Sequence, residues 1–94
     1  MQVDFGQRVI APPNVLMQAL DGEAMFLNME GETYYGLDSV GSRAWQVLTT
    51  ASTIEDAYDL LLREFDVEPD RLRGDLEQLI PKLHAAGLIE IVRE

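Results

Sequence analysis

The sequence contains no cysteine, which excludes a disulfide framework, a thiolate metal site and a cysteine nucleophile. It has one histidine, His84, so no site can require two imidazoles. Basic residues are scarce: seven Lys and Arg stand against seventeen Asp and Glu, for a formal charge of −10. Affinity for nucleic acid comes largely from Lys and Arg that neutralise phosphates, so this balance argues against a nucleic-acid partner. The charge is spread along the chain, −4 over residues 1–50 and −6 over residues 51–94. It reads either as a solvated surface that keeps a small protein soluble or as a field favouring a neutral or basic partner. No apolar run approaches the ~18–20 residues of a membrane span. Met1–Gln7 (MQVDFGQ) lacks a basic start followed by an apolar stretch, so a soluble, cytoplasmic chain without a membrane partner is expected.

What is present is enough for one small domain. The 94 residues are 47% apolar, ordinary for a globular chain with a single core. No internal repeat or low-complexity segment interrupts it. The apolar period changes once, near residue 38, from strand-like alternation to helical spacing. Val15–Leu20, Ala24–Met29 and Thr33–Leu37 are three short strands. Asp21-Gly22, a pair that readily takes the positive φ of a hairpin turn, separates the first two, and Glu30-Gly31 separates the next two. Arg8-Val9-Ile10 forms a further short strand at most, because Pro12-Pro13 stops continuous pairing into Val15. Residues 1–14 are therefore an N-terminal segment and residues 15–94 the domain.

Three helices follow. Val40, Ala44, Val47, Leu48 and Ala51 mark one apolar stripe, with Trp45 beside it. Ile54, Ala57, Tyr58, Leu61, Leu62 and Phe65 mark a second, with Thr53 as its cap and Asp56 able to reach back. Leu72, Leu76, Leu79, Ile80 and Leu83 mark the third, with Pro69 in its first turn and Gly87 as a left-handed stop. Pro81 removes the bond to Glu77 and predicts a kinked or split helix. Leu88–Val92 is a short final strand. Strands first and helices second define an α+β fold, a three-stranded antiparallel sheet packed on three C-terminal helices. In such a meander the 33–37 strand is an edge, and no charge or proline inside it blunts that edge.

Catalytic chemistry has no constellation to use. Carboxylates on successive helical turns, Glu55/Asp59 and Glu64/Glu68, are the chance pairs that seventeen acids produce, and they read as solvated faces. His84 has no nucleophile or second ligand near it and suits a helix C-terminus. Gly31, Gly36 and Gly41 form no phosphate-cradling pattern. The second and third helices resemble a helix-turn-helix pair, yet Glu68, Asp70 and Asp75 offset Arg71 and Arg73 where bases would be read. No enzyme, metal or cofactor is expected.

The junction of strands and helices carries a recognisable pattern. Leu27-Asn28, Tyr34-Tyr35-Gly36-Leu37-Asp38, Gly41-Ser42-Arg43-Ala44-Trp45 and Val47-Leu48 resemble the PqqD-like family. So do Thr53, Leu61, Phe65-Asp66-Val67, Asp75-Leu76, Leu83 and Ala86-Gly87-Leu88-Ile89. The resemblance spans about residues 15–90 and rests on order and spacing together. It implies a winged-helix-like fold and a peptide-recognition element that captures the leader of a ribosomally made precursor. The Tyr-Tyr-Gly-Leu-Asp and Gly-Ser-Arg-Ala-Trp forms are most similar to standalone leader-binding proteins of lasso peptide biosynthesis, whose partner is a leader-removing cysteine protease. The alternative within the family is a peptide chaperone serving a radical enzyme in quinone cofactor biosynthesis.

The physics of the edge agrees with that implication. A leader can add as a strand to Glu32, Thr33, Tyr34, Tyr35 and Gly36, with its side chains entering a groove against the third helix. Leu37 is expected in the core, while Tyr34 and Tyr35 remain open between packing and ligand contact. Leu72, Leu76 and Leu79 line the helix side if its stripe extends past the covered face. Asp75 either meets a leader Lys or Arg or pairs with Arg71 one turn back. Trp45 is expected to pack, although an exposed Trp would suit protease docking.

Overall fold

The computed structural model describes residues 3–21 and 23–92. Its elements are β1 (Arg8–Ile10), β2 (Val15–Leu20), β3 (Glu23–Asn28), β4 (Thr33–Leu37), α1 (Ser39–Thr50), α2 (Ile54–Glu64), α3 (Pro69–Ala85) and β5 (Glu90–Val92). β2, β3 and β4 form an antiparallel meander in that order, as the alternation requires. Asp21 takes a φ of 51° in the first turn; Gly22, its expected partner, lies outside the described residues. In the second turn the left-handed residue is Glu32, at φ 52°, rather than a glycine.

Register fixes the two faces of the sheet. Met25 pairs with Gly36, Phe26 with Tyr35, Leu27 with Tyr34 and Ala24 with Leu37. Ala24, Phe26, Tyr35 and Leu37 therefore share the inner face, and Met25, Leu27, Tyr34 and Gly36 the outer one. α1 lies under the inner face. Phe26 is fully buried and meets Trp45 edge-on, with ring centroids 4.8 Å apart. The Trp45 indole donates to the Leu88 carbonyl at 3.0 Å, so its polar atom is satisfied inside a packed site.

Helix ends follow from local chemistry. The Asp38 carboxylate accepts from the Gly41 amide at 2.7 Å to start α1. The Thr53 hydroxyl accepts from the Asp56 amide at 3.1 Å to start α2. Two further first-turn amides of α2 find carbonyls in the N-terminal segment: Ile54 donates to Gln7 and Glu55 to Phe5, both at 2.8 Å. α3 ends at Gly87, at φ +76°. The Gly87 amide donates to His84 and the Leu88 amide to Leu83, the paired bonds of a left-handed helix stop.

Four expectations are corrected. Val40 lies off the first buried stripe and is 56% exposed, because α1 turns its inner face to the sheet only from Ala44 onward. α3 is not split at Pro81; Ile80 and Leu83 are both buried on either side of it and hold the helix across the missing bond. Nothing in the sequence pairs the two short terminal strands, yet β1 and β5 pair with each other as a second, two-stranded sheet. The final strand also begins two residues later than expected, because Leu88 and Ile89 go into the core first. Val9 is itself buried in that core, so the segment before residue 15 is part of the packing.

The Gly87 stop yields a direct prediction. A Cβ at Gly87 would collide with the Asn28 amide nitrogen, which donates to the Gly87 carbonyl. Gly87→Ala should lose about 2–3 kcal/mol through left-handed strain and the broken bond. Thermal denaturation followed by circular dichroism should show Tm falling by roughly 10–20 °C.

Candidate peptide-binding edge

Among the described residues, β4 is paired only with β3. Its other side offers a five-residue row of backbone groups (TYYGL) with no charged side chain, flanked by exposed Glu32 and Asp38. The same description fits β2, whose VLMQAL is also an edge without charge. What separates the two is the company they keep. β4 runs directly into α1 and carries half-buried Tyr35 and Leu37 at the margin of the core, whereas β2 exposes side chains to both faces.

The two tyrosines have different surroundings. Tyr35 sits on the inner face opposite Phe26 and is half-buried. Tyr34 sits on the outer face opposite Leu27 and is 69% exposed. Gly36 is exposed on the outer face, and Leu37 packs on the inner one. For Thr33 the backbone pairing with Asn28 places the start of the strand.

On α3 the expected stripe divides. Leu76 is 2% exposed and belongs to the core with Ile80 and Leu83; it is no surface residue. Leu72 and Leu79 are half-buried at the core margin. Asp75 is exposed, and the described ion pairs do not join it to Arg71. α3 packs mainly on α2. Arg73 holds that contact, with its guanidinium 4.2 Å from the Phe5 ring centroid, 4.8 Å from that of Tyr58 and 3.3 Å from Glu55. The Tyr58 hydroxyl donates to the Pro69 carbonyl at 3.2 Å. At its other end α3 reaches the sheet through Asn28, whose amide nitrogen donates to the Gly87 carbonyl at 3.3 Å. The Asn28 carbonyl accepts from the Glu30 and Gly31 amides in the turn that leads into β4. One side chain thus touches both the turn before the edge strand and the end of α3.

The carboxylates do structural work where they are engaged. Glu55 and Glu64 pair with Arg73 and Arg43, not with other acids. The hydrogen bond from Arg43 holds the Glu64 carboxyl below its usual range, and that same bond raises Arg43. Among the described residues no group of three His, Asp or Glu side chains lies close enough to hold a metal ion, and no helix is long and apolar enough to cross a membrane.

Sequence reading passed over the outer face of the sheet. Leu16, Met25 and Tyr34 are exposed there, beside half-buried Leu27. The signal was available: the central strand, Glu-Ala-Met-Phe-Leu-Asn, carries apolar residues at both parities, which a strand covered on one side does not need.

Three C-terminal helices with a meander on one side and a short terminal strand pair make this a winged-helix-like α+β domain. Residues 23–89 match the model of the coenzyme PQQ synthesis protein D (PqqD) family, and the chain belongs to that family. It is similar to the solved structure of TbiB1 in complex with the TbiA(beta) leader peptide, with 28% identity over 90% of this chain and 99% of that one, at a TM-score of 0.79. Lasso peptide synthetase B1 complexed with the leader peptide shares the fold at 19% identity, over 88% and 98% of the two chains, with a TM-score of 0.76. No curated protein matches the sequence.

Proposed function

We propose that this chain is a non-catalytic binding module of the cytoplasm. It captures the leader segment of a ribosomally made precursor peptide and presents it to a leader-removing cysteine protease in lasso peptide maturation. The observation that carries this reading is the unpaired, uncharged β4 edge at the core margin. The likeness to TbiB1, solved with a leader peptide, supports it. The binding unit is residues 15–94, with residues 1–14 contributing β1 to its packing.

The leader adds antiparallel along Glu32 to Leu37. Its inward side chains lie beside Tyr35 and Leu37 and meet Leu72 and Leu79 on α3, while Leu76 supports them from the core. Asp75 is free to take a leader Lys or Arg. Around five new backbone bonds at ~1 kcal/mol each contribute on the order of 5 kcal/mol. Ordering a disordered leader costs ~2–5 kcal/mol, so net affinity rests on two or three buried apolar anchors at ~1.5–3 kcal/mol each. The chain's −10 charge selects against acidic leaders.

The protease is assigned to the outer face of the sheet. Leu16, at 54% exposure, and Met25, at 46%, lie there with Leu27 and Tyr34, and an exposed apolar surface of that kind suits a protein partner. The description of the matched family model favours a second reading, a peptide chaperone for a radical enzyme in quinone cofactor biosynthesis. It differs in the enzyme that the loaded module activates.

Two measurements check the assignment. Fluorescence anisotropy should give submicromolar binding to a synthetic peptide of the leader from the precursor encoded beside this chain, and no binding to its core segment. The same leader peptide N-methylated at alternate residues should lose at least tenfold affinity in the register that blocks pairing; equal affinity of all N-methylated forms would exclude strand addition. Separately, Leu16→Glu should leave leader affinity within twofold and cut leader cleavage by the co-encoded protease at least tenfold. Undiminished cleavage would place the protease elsewhere.

A further inference from the structure

Gly36 has no structural reason, within the free chain, to be glycine. Its backbone does not lie in the left-handed region. A Cβ built on it meets only the Met25 side chain, at 3.8 Å to Cε and 4.0 Å to Sδ, which is ordinary contact. A glycine inside a strand gives up side-chain packing and costs backbone entropy, so a bulkier residue would suit the isolated fold better. The space left open is a depression of about 260 Å³ on the sheet, bounded by Glu23, Ala24, Met25, Gly36, Leu37 and Asp38.

We infer that this depression is a subsite for one bulky apolar side chain of the bound peptide. The inference rests on the strand-addition reading above and names the feature of the peptide that the edge selects. A strand paired along β4 has one residue directly opposite Gly36. Gly36 belongs to the outer face with Tyr34 and Met25, so the side chain opposite it points to the same face. Gly36 puts no atom in its way, and the flexible Met25 thioether forms the far wall. Bulky residues laid across an edge glycine are a general way for a neighbouring strand to restore the packing that glycine lacks. A Phe, Tyr, Leu or Met fits this space; Ala or Ser would leave the Met25 and Gly36 surface wet.

The test uses Gly36→Val and Gly36→Ala in the full chain, with the synthetic leader peptide and its alanine-scanned forms as probes. Tm of Gly36→Val should equal or exceed that of the unaltered chain, because a β-branched residue suits an exposed strand position. Its Kd for the leader should rise about tenfold, with a smaller rise for Gly36→Ala. One bulky apolar leader position should lose about tenfold affinity on alanine substitution against the unaltered chain and almost nothing against Gly36→Val. Undiminished binding by Gly36→Val, or additive losses at every leader position, would overturn the subsite while leaving strand addition intact. A marked fall in the Tm of Gly36→Val would show that the fold itself needs the glycine, and would also overturn it. Failure of the unaltered chain to bind the leader would overturn the leader reading and the subsite together.

Discussion

The edge-to-face contact of Phe26 with Trp45 ties the sheet to the helical part of this molecule. Phe26 is the inward residue at the centre of the middle strand, and Trp45 stands on the helix beneath it. Through its indole N–H, Trp45 also holds the Leu88 carbonyl just past the end of α3. The three-stranded meander, the first helix and the return of the chain into β5 therefore meet at two rings. A ring pair of this kind contributes ~0.5–1.5 kcal/mol beyond the area it buries. Its larger consequence is geometric: once α1 is fixed under β3, it covers the inner face of the sheet and leaves both outer strands as edges.

That constraint sets the two edges apart. β2 and β4 are equally uncharged, but β4 itself packs Tyr35 and Leu37 against the core, whereas of the described β2 side chains Val15 alone does so. Strand addition alone contributes little after the ordering cost, so an edge becomes a specific site only where apolar anchors lie within reach. The strongly negative surface adds selection without adding a pocket. Asn28 links the turn before β4 to the stop after α3, so the strand edge and the helix are positioned by a common side chain. Under the proposed strand addition, recognition would need no buried charge and no reactive group, only an open backbone beside a margin of hydrophobic residues.

Most of the architecture was legible from periodicity. Alternation located β2, β3 and β4 to within a residue, and helical spacing located all three helices, because each element has a strong one-sided apolar pattern. Gly87 and Thr53 announced their caps by residue type alone. The β1–β5 pairing was not legible, since two three-residue strands more than eighty residues apart carry no register signal of their own. The continuity of α3 through Pro81 was not legible, because propensity describes an isolated helix, and buried Ile80 and Leu83 outweigh the lost bond. At the site, the β4 edge followed from topology. The division of the α3 leucines into buried Leu76 and half-buried Leu72 and Leu79 did not, because four residues on one stripe look alike until the packing angle is known. Tyr34 and Tyr35 separated only once register gave each a face.

The central claim is that a leader peptide pairs with β4, and amide hydrogen exchange on the ¹⁵N-labelled chain reads this most directly. With saturating leader peptide, alternate amides within Thr33–Leu37, those facing away from β3, should gain at least tenfold protection while β2 amides do not change. Protection gained along β2, or peptide binding with no gain anywhere in β4, would contradict the account.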